Sequence, residues 1–203
     1  MRLISHSFDN GAAIPVEFAA GSPEGFAPNR NPHLAWSEVP AGTASFALLC
    51  LDPDVPTVPE TVGRDDLQIP VEQPRTDFVH WAMIDLPASV HELAAGSCSD
   101  GFVAKGKRQP AGPAGARQGL NSYTDWFAGN ADMAGDYLGY DGPYPPFNDL
   151  RLHRYFFRVF ALDVARLEVP ARFTAADALR AMHGHVLAEA TLHGTYTLNP
   201  TVR

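Results

Sequence analysis

Asp52, His80, His153 and Tyr155 each stand at or near the end of an otherwise apolar run. Asp52 follows Phe46–Leu51, His80 lies near the start of Phe78–Leu86, and His153 and Tyr155 open a run that closes at Leu162. Their side chains are of the types that hold anions or move protons. A histidine changes charge near neutral pH and donates more strongly when protonated. A neighbouring carboxylate favours the imidazolium, or orients one tautomer by hydrogen bonding. A tyrosine adds a hydroxyl donor. Such a set could bind an anion, or act as general acid and base in a hydrolase.

Neither catalysis nor a metal has a motif to carry it. No Gly-x-Ser-x-Gly elbow, His-Glu-x-x-His pair or Walker-type glycine-rich loop occurs. His183 and His185 are wrongly spaced for one helical face. Cys50 and Cys98 make neither a disulfide framework nor a zinc site. The expectation is therefore no assigned catalytic residue, no metal and no cofactor.

Strands must bring the polar ends together. Phe46–Leu51, Phe78–Leu86 and Tyr155–Leu162 are the strongest candidates, with weaker ones at Leu3–Phe8 and Gly194–Leu198. Side chains alternate along a strand, which puts Phe46, Leu48, Cys50 and Asp52 on one face. The same rule groups Phe78, His80, Ala82 and Ile84, and groups His153, Tyr155, Phe157, Val159 and Ala161. If the first strand runs antiparallel to the other two, its exit and their entries share one end of the sheet. Each histidine taken singly reads as a core or rim residue with a hydrogen-bonded partner; the convergence of three stripe ends is what suggests a pocket mouth. Arg154 faces the opposite way, and its expected role is an ion pair with Asp54 or Asp52.

One helix is expected from about Ala175 to Glu189, opened by a Thr174/Asp177 capping pair and weakened by Gly184. Strands followed late by a helix favour an antiparallel sheet or sandwich over a doubly wound fold. Two long connections, Thr57–Asp77 and Ser97–Leu152, are candidates for walling a site. A variable surface insertion is the competing reading for Thr124–Gly139. Asp52-Pro53-Asp54-Val55-Pro56 is a rigid turn in which Val55-Pro56 is a candidate cis bond.

The chain has 203 residues, 15 Lys and Arg against 23 Asp and Glu, and a formal charge of −8. That length fits one domain over 1–203. The charge excludes a broad basic surface for nucleic acid or for membrane headgroups. The longest apolar run falls far short of the roughly 20 residues that span a bilayer. Met1–His6 lacks the apolar core of a secretory signal, so a cytoplasmic location is expected. With 17 Gly and 18 Pro, much of the backbone should lie in loops.

Several segments, in order, resemble the phosphatidylethanolamine-binding protein family, also called the Raf kinase inhibitor proteins. They are Asn31–Pro40, Asp52–Pro56, Phe78-Val79-His80-Trp81, Gly142–Pro146 and His153-Arg154-Tyr155. Gly184–Ala190 followed by Gly194-Thr195-Tyr196 is similar to the end of its bacterial and archaeal members. The resemblance runs from about residue 5 to 198.

It implies a mainly β fold, a large antiparallel sheet packed on a smaller one with peripheral helices and a C-terminal helix. It also implies an anion pocket for phosphate, a phosphorylated small molecule or a phospholipid headgroup. Asp52, His80, Gly142, Pro143, His153 and Tyr155 would form the pocket, Asp54 would support the turn, and Phe78 would be an aromatic wall. Gly142 would let the backbone approach the ligand. Asp52 would repel a phosphate dianion unless one partner carries a proton, a histidine intervenes, or the ligand brings an ammonium. By analogy with the family, the chain would be a homodimer that modulates a kinase or protease. It departs from compact bacterial members in a longer Thr57–Asp77 connection and in extra residues before Gly139, including Trp126 and Phe127.

Overall fold

The computed structural model describes residues 1–202. In chain order the strands begin with β1 (Arg2–Ile4), β2 (Gly21–Ser22), β3 (Gly25–Phe26), β4 (Leu34–Ser37) and β5 (Ser45–Pro56). They continue with β6 (Arg75–Pro87), β7 (Glu92–Leu93), β8 (Arg117–Gln118), β9 (His153–Leu162) and β10 (Val186–Tyr196). Helix α1 (Tyr123–Trp126) precedes β9, and α2 (Ala175–Met182) precedes β10. The large sheet has the order β10-β9-β5-β6-β8, a smaller sheet the order β1-β4-β7, and β2 and β3 form a separate hairpin.

β5 is the central strand, and its residues Phe46–Cys50 are buried on both faces. Double-sided burial explains a continuous apolar run where a half-exposed strand would alternate. Phe46, Leu48 and Cys50 join Phe157 and Val159 of β9 against Leu34 and Trp36 of the smaller sheet. Ala47 and Leu49 face the other way, onto a layer that includes Phe173, Ala178 and Met182. Removing a large side chain from either layer, as in Leu48→Ala, costs about 2–5 kcal/mol.

β5 pairs antiparallel with both β6 and β9. Asp52 lies opposite Phe78, and Leu51 lies opposite Phe156. The exit of β5 therefore meets the entries of β6 and β9, as the apolar stripes imply. The β9 stripe of His153, Tyr155, Phe157, Val159 and Ala161 is one buried face.

The β6 stripe needs correction. Cys50 pairs with Trp81 but Leu51 pairs with Val79, so two residues of β6 answer one of β5. This bulge adds a residue and resets the alternation. Trp81 and Met83 share a layer with Cys50, while Ala82 and Ile84 turn to the α2 side. His80 thus does not share a face with Ala82 and Ile84. A second irregularity sets Asp52 opposite Phe78 and Val55 opposite Thr76, giving β5 one extra residue at the Pro53-Asp54 step.

Three further expectations change. The helix ends at Met182, because Gly184 takes a left-handed φ of +85° that the next turn could not continue. Val186–Glu189 belong to β10 instead. No cis peptide bond occurs among the described residues; Val55 and Pro56 continue β5, opposite Thr76 and Arg75. The first strand stops at Ile4. The Thr174/Asp177 capping box does form, each side chain bonding the other's backbone N–H.

Candidate functional site

A cavity of about 310 Å³ opens at the end of the large sheet where β5 exits. Asp52, His80, His153 and Tyr155 line it, contributed by three neighbouring strands. Phe78, Tyr123, Trp126 and Phe127 wall one side, and Tyr144, Pro145 and Pro146 wall another. Val62 comes from the 57–77 connection, so both long connections contribute. Trp126 and Phe127, in the segment that also read as a surface insertion, are cavity wall.

His153 is held between two carboxylates. Its Nδ1 donates to Asp52 Oδ2 at 2.7 Å and its Nε2 donates to Asp149 Oδ2 at 3.0 Å. Burial alone would lower its pKa, but hydrogen bonds to Asp149 and Asp52 and their charges outweigh it and push the value up to about 9. With both nitrogens donating, the ring is an imidazolium near neutral pH. Asp149 is in turn bound by the Arg75 guanidinium. Its carboxyl lies below the usual range: burial opposes ionisation, but the hydrogen bonds from His153, Arg75 and the Arg151 amide prevail.

His80 is the opposite case. Its Nδ1 lies 2.8 Å from the Asp141 carbonyl oxygen. A carbonyl only accepts, so Nδ1 carries the proton. Nε2 is buried and has no hydrogen-bond partner. Burial lowers the His80 pKa and the His153 charge adds to the effect, against Asp52 and the Asp141 and Gly142 carbonyls. The ring is therefore neutral, with a bare acceptor at Nε2. The Tyr155 hydroxyl is also buried with no hydrogen bond of normal length, and burial, then the charge of Asp52 and a looser contact with it, raises its pKa well above the usual tyrosine value. Buried polar atoms are almost always hydrogen-bonded. Two exceptions on one cavity point to a ligand that completes them.

The remaining residues named by the resemblance lie behind the cavity. Asp54 accepts from Arg154 Nε and Nη2 at 2.8 and 2.9 Å and from Arg151 at 3.2 Å. Its pKa is lowered, burial being overcome by those two cations. Arg154 is thus a structural ion pair with Asp54, as expected. The Asp54 amide donates to Asp52 Oδ1 at 2.8 Å, so the turn holds its own carboxylate in place.

Gly142 and Pro143 are not among the cavity-lining residues; the lining resumes at Tyr144. A Cβ on Gly142 would sit 2.3 Å from the Phe18 carbonyl, so the missing side chain lets two backbones approach each other. The Gly142 amide donates to Asn29 Oδ1, and the Pro143 carbonyl accepts from Ala20 and Gly21. Phe78 does stand as a wall, with its ring 5.0 Å from those of His80 and Tyr123.

Sequence reasoning missed Asp149 and Asp141. Asp149 reaches His153 because the chain turns at Pro146 and pairs beside Ile69, which no periodicity reveals. Its only signal was a carboxylate four residues before His153 in a non-helical stretch. Asp141 directly precedes the Gly142–Pro146 segment and anchors it, accepting from Asn29, Asn121 and Lys107. Among the described residues, no group of three or more His, Cys, Asp or Glu side chains is placed to hold a metal ion.

A family model described as phosphatidylethanolamine-binding protein matches residues 4–197. Similar curated proteins include a UPF0098 protein of Aquifex aeolicus, 32% identical over 97% of this chain and 88% of its own length. The UPF0098 protein YbhB of Escherichia coli is 32% identical over 97% of this chain and 100% of its own. A solved structure of the putative phosphatidylethanolamine-binding protein homolog CT736 from Chlamydia trachomatis superposes with a TM-score of 0.65. It is 31% identical and covers 96% of this chain and 95% of that one. E. coli YbcL, described as a member of the mammalian family, gives 0.70 at 26% identity, covering 97% of each chain.

Proposed function

Since this chain belongs to the phosphatidylethanolamine-binding protein family, we propose that it is a binding protein whose cavity takes a phosphate-bearing small molecule or lipid headgroup. The observation that carries the reading is the pair of unpartnered buried atoms, His80 Nε2 and Tyr155 Oη, on one cavity. A phosphoryl oxygen would complete Tyr155, and a second phosphoryl group oxygen would share a proton with His80. The organic part of the ligand would lie against Phe78, Tyr123, Trp126 and Phe127.

A hydrolase is the less supported alternative. Of the two histidines, His153 has no free nitrogen with which to take or give a proton. We also propose a cytoplasmic location, from composition, and, from family membership rather than from the cavity, a homodimer and a protein partner of the kinase or protease class. No helix among the described residues is long and apolar enough to cross a membrane.

Phenyl phosphate and inorganic phosphate test the reading when titrated against the Trp126 and aromatic-ring resonances. Phenyl phosphate should bind about tenfold more tightly, from burying a ring at roughly 25 cal/mol per Å². Trp126→Ala should erase much of that advantage while leaving inorganic phosphate nearly unaffected. No response to either ligand at millimolar concentration would overturn the proposal.

A further inference from the structure

Among the described residues, the cations packed around the cavity floor are already balanced within the fold. Arg75 is paired with Asp149, Arg151 and Arg154 with Asp54, and Lys107 with Asp141. His153 lies between Asp52 and Asp149. Among the described residues no Lys or Arg lines the cavity, but the Asp52 carboxylate does. An incoming phosphate dianion would therefore meet a carboxylate, the lone pair of a neutral imidazole and a single hydroxyl donor. Oxygen lone pairs facing the bare Nε2 of His80 repel it, and the His153 imidazolium has both its donors occupied. One proton resolves the conflict.

We propose that the cavity binds its phosphate-bearing ligand as a monoanion, with one shared proton held between a ligand oxygen and Nε2 of His80. The inference rests on the reading of the cavity as a phosphate-ligand site and adds the protonation state that site accepts. The His80 ring is fixed for this role. Its Nδ1 donates to the Asp141 carbonyl, and its ring packs edge-on against Tyr123 and Tyr155. Facing it are Asp52 from β5, His153 and Tyr155 from β9, Tyr123 from α1, and the Asp141 and Gly142 carbonyls from the loop before β9. The Asp141 carboxylate points away, to Lys107, Asn29 and Asn121. Tyr155 supplies a hydroxyl proton to a second ligand oxygen. Whether the shared proton sits nearer the ligand or nearer Nε2, the complex holds one proton more than the dianion and neutral His80 held apart.

A phosphate ester loses its second proton near pH 6. Above that pH the ligand must take up a proton as it binds, and affinity falls about tenfold per pH unit. Calorimetric titration of the protein with phenyl phosphate, in two buffers of different ionisation enthalpy, measures this directly. Between about pH 7 and about 8, where His153 stays largely protonated, roughly one proton should enter per ligand bound, with that tenfold slope. His80→Gln carries a permanent amide donor and should bind with a nearly flat pH profile.

Binding by the wild type with no proton uptake and no slope would overturn the monoanion proposal and leave the ligand reading standing. No binding at any pH in the window would overturn both. A slope retained in His80→Gln would place the proton elsewhere and overturn the assignment to His80. Should that variant fail to fold, side-chain nitrogen NMR of the wild type decides the assignment, and a His80 Nε2 unchanged on binding would overturn it.

Discussion

His153 and His80 border the same cavity, one strand apart from Asp52 on either side, and the fold treats them oppositely. His153 receives a carboxylate on each nitrogen, and one of those carboxylates is tied to Arg75. His80 receives one backbone carbonyl and keeps a bare, buried Nε2. Where the fold supplies every partner, a polar group in a pocket floor is a structural member that fixes the strand ends. Where it leaves one partner out, the ligand has to bring it. Proximity to the cavity does not separate these roles; the count of partners does.

The largest expected effect breaks the saturated half of that comparison. Asp149→Ala strips a partner from both His153 and Arg75, and leaving buried charges unpaired costs about 3–5 kcal/mol. Urea unfolding reads this directly. A loss below about 1 kcal/mol would mean that the cluster is not structural.

The pH dependence of stability comes next, and the two histidines should give opposite slopes. The folded pKa of His153 is raised from 6.5 to about 9. Its contribution is fully present below pH 6.5 and is lost as pH rises through about 9, on the order of 3 kcal/mol. The folded pKa of His80 is lowered. Its neutral burial is stabilising above pH 6.5, and that stability is lost as pH falls through the folded value. Urea midpoints across both limbs check the pair. A flat alkaline limb would contradict the His153 assignment, and a flat acid limb would contradict the His80 one.

His80→Ala sharpens the contrast. It removes one hydrogen bond beside an existing cavity, so stability should fall by only about 1 kcal/mol. Phenyl phosphate affinity should fall tenfold or more, since a hydrogen bond to a charged group contributes about 1.5–3 kcal/mol. The smallest effect belongs to Arg154→Ala. Its side chain is 47% exposed and Asp54 retains Arg151, so less than about 1 kcal/mol should be lost. Ligand affinity should not change in that variant.

The sequence revealed the stripes of β5 and β9, because a two-residue period survives wherever a strand is regular. It misplaced the face of Ala82 and Ile84 because a bulge between Val79 and Trp81 adds one residue that no hydropathy pattern marks. In the sequence Gly184 reads as a weak point within a helix, whereas it lies between the end of α2 and the start of β10. Asp52, His80, His153 and Tyr155 were legible as a set from strand ends alone. Asp149 was not, since its place beside His153 depends on a loop turning at Pro146 and pairing at Ile69. The resemblance implies a ligand-facing Gly142, yet its tight approach is to the Phe18 carbonyl. Family resemblance locates a motif, but which neighbour requires the glycine is a fact of packing.

The contrast between the two rings is open to one direct measurement. Side-chain nitrogen NMR reports the protonation of both histidines in the same sample while phenyl phosphate is added near neutral pH. The account predicts that His80 Nε2 moves from the unprotonated position toward the protonated one as the cavity fills, while both His153 nitrogens stay protonated and unmoved. A response at His153 with His80 unchanged would contradict it.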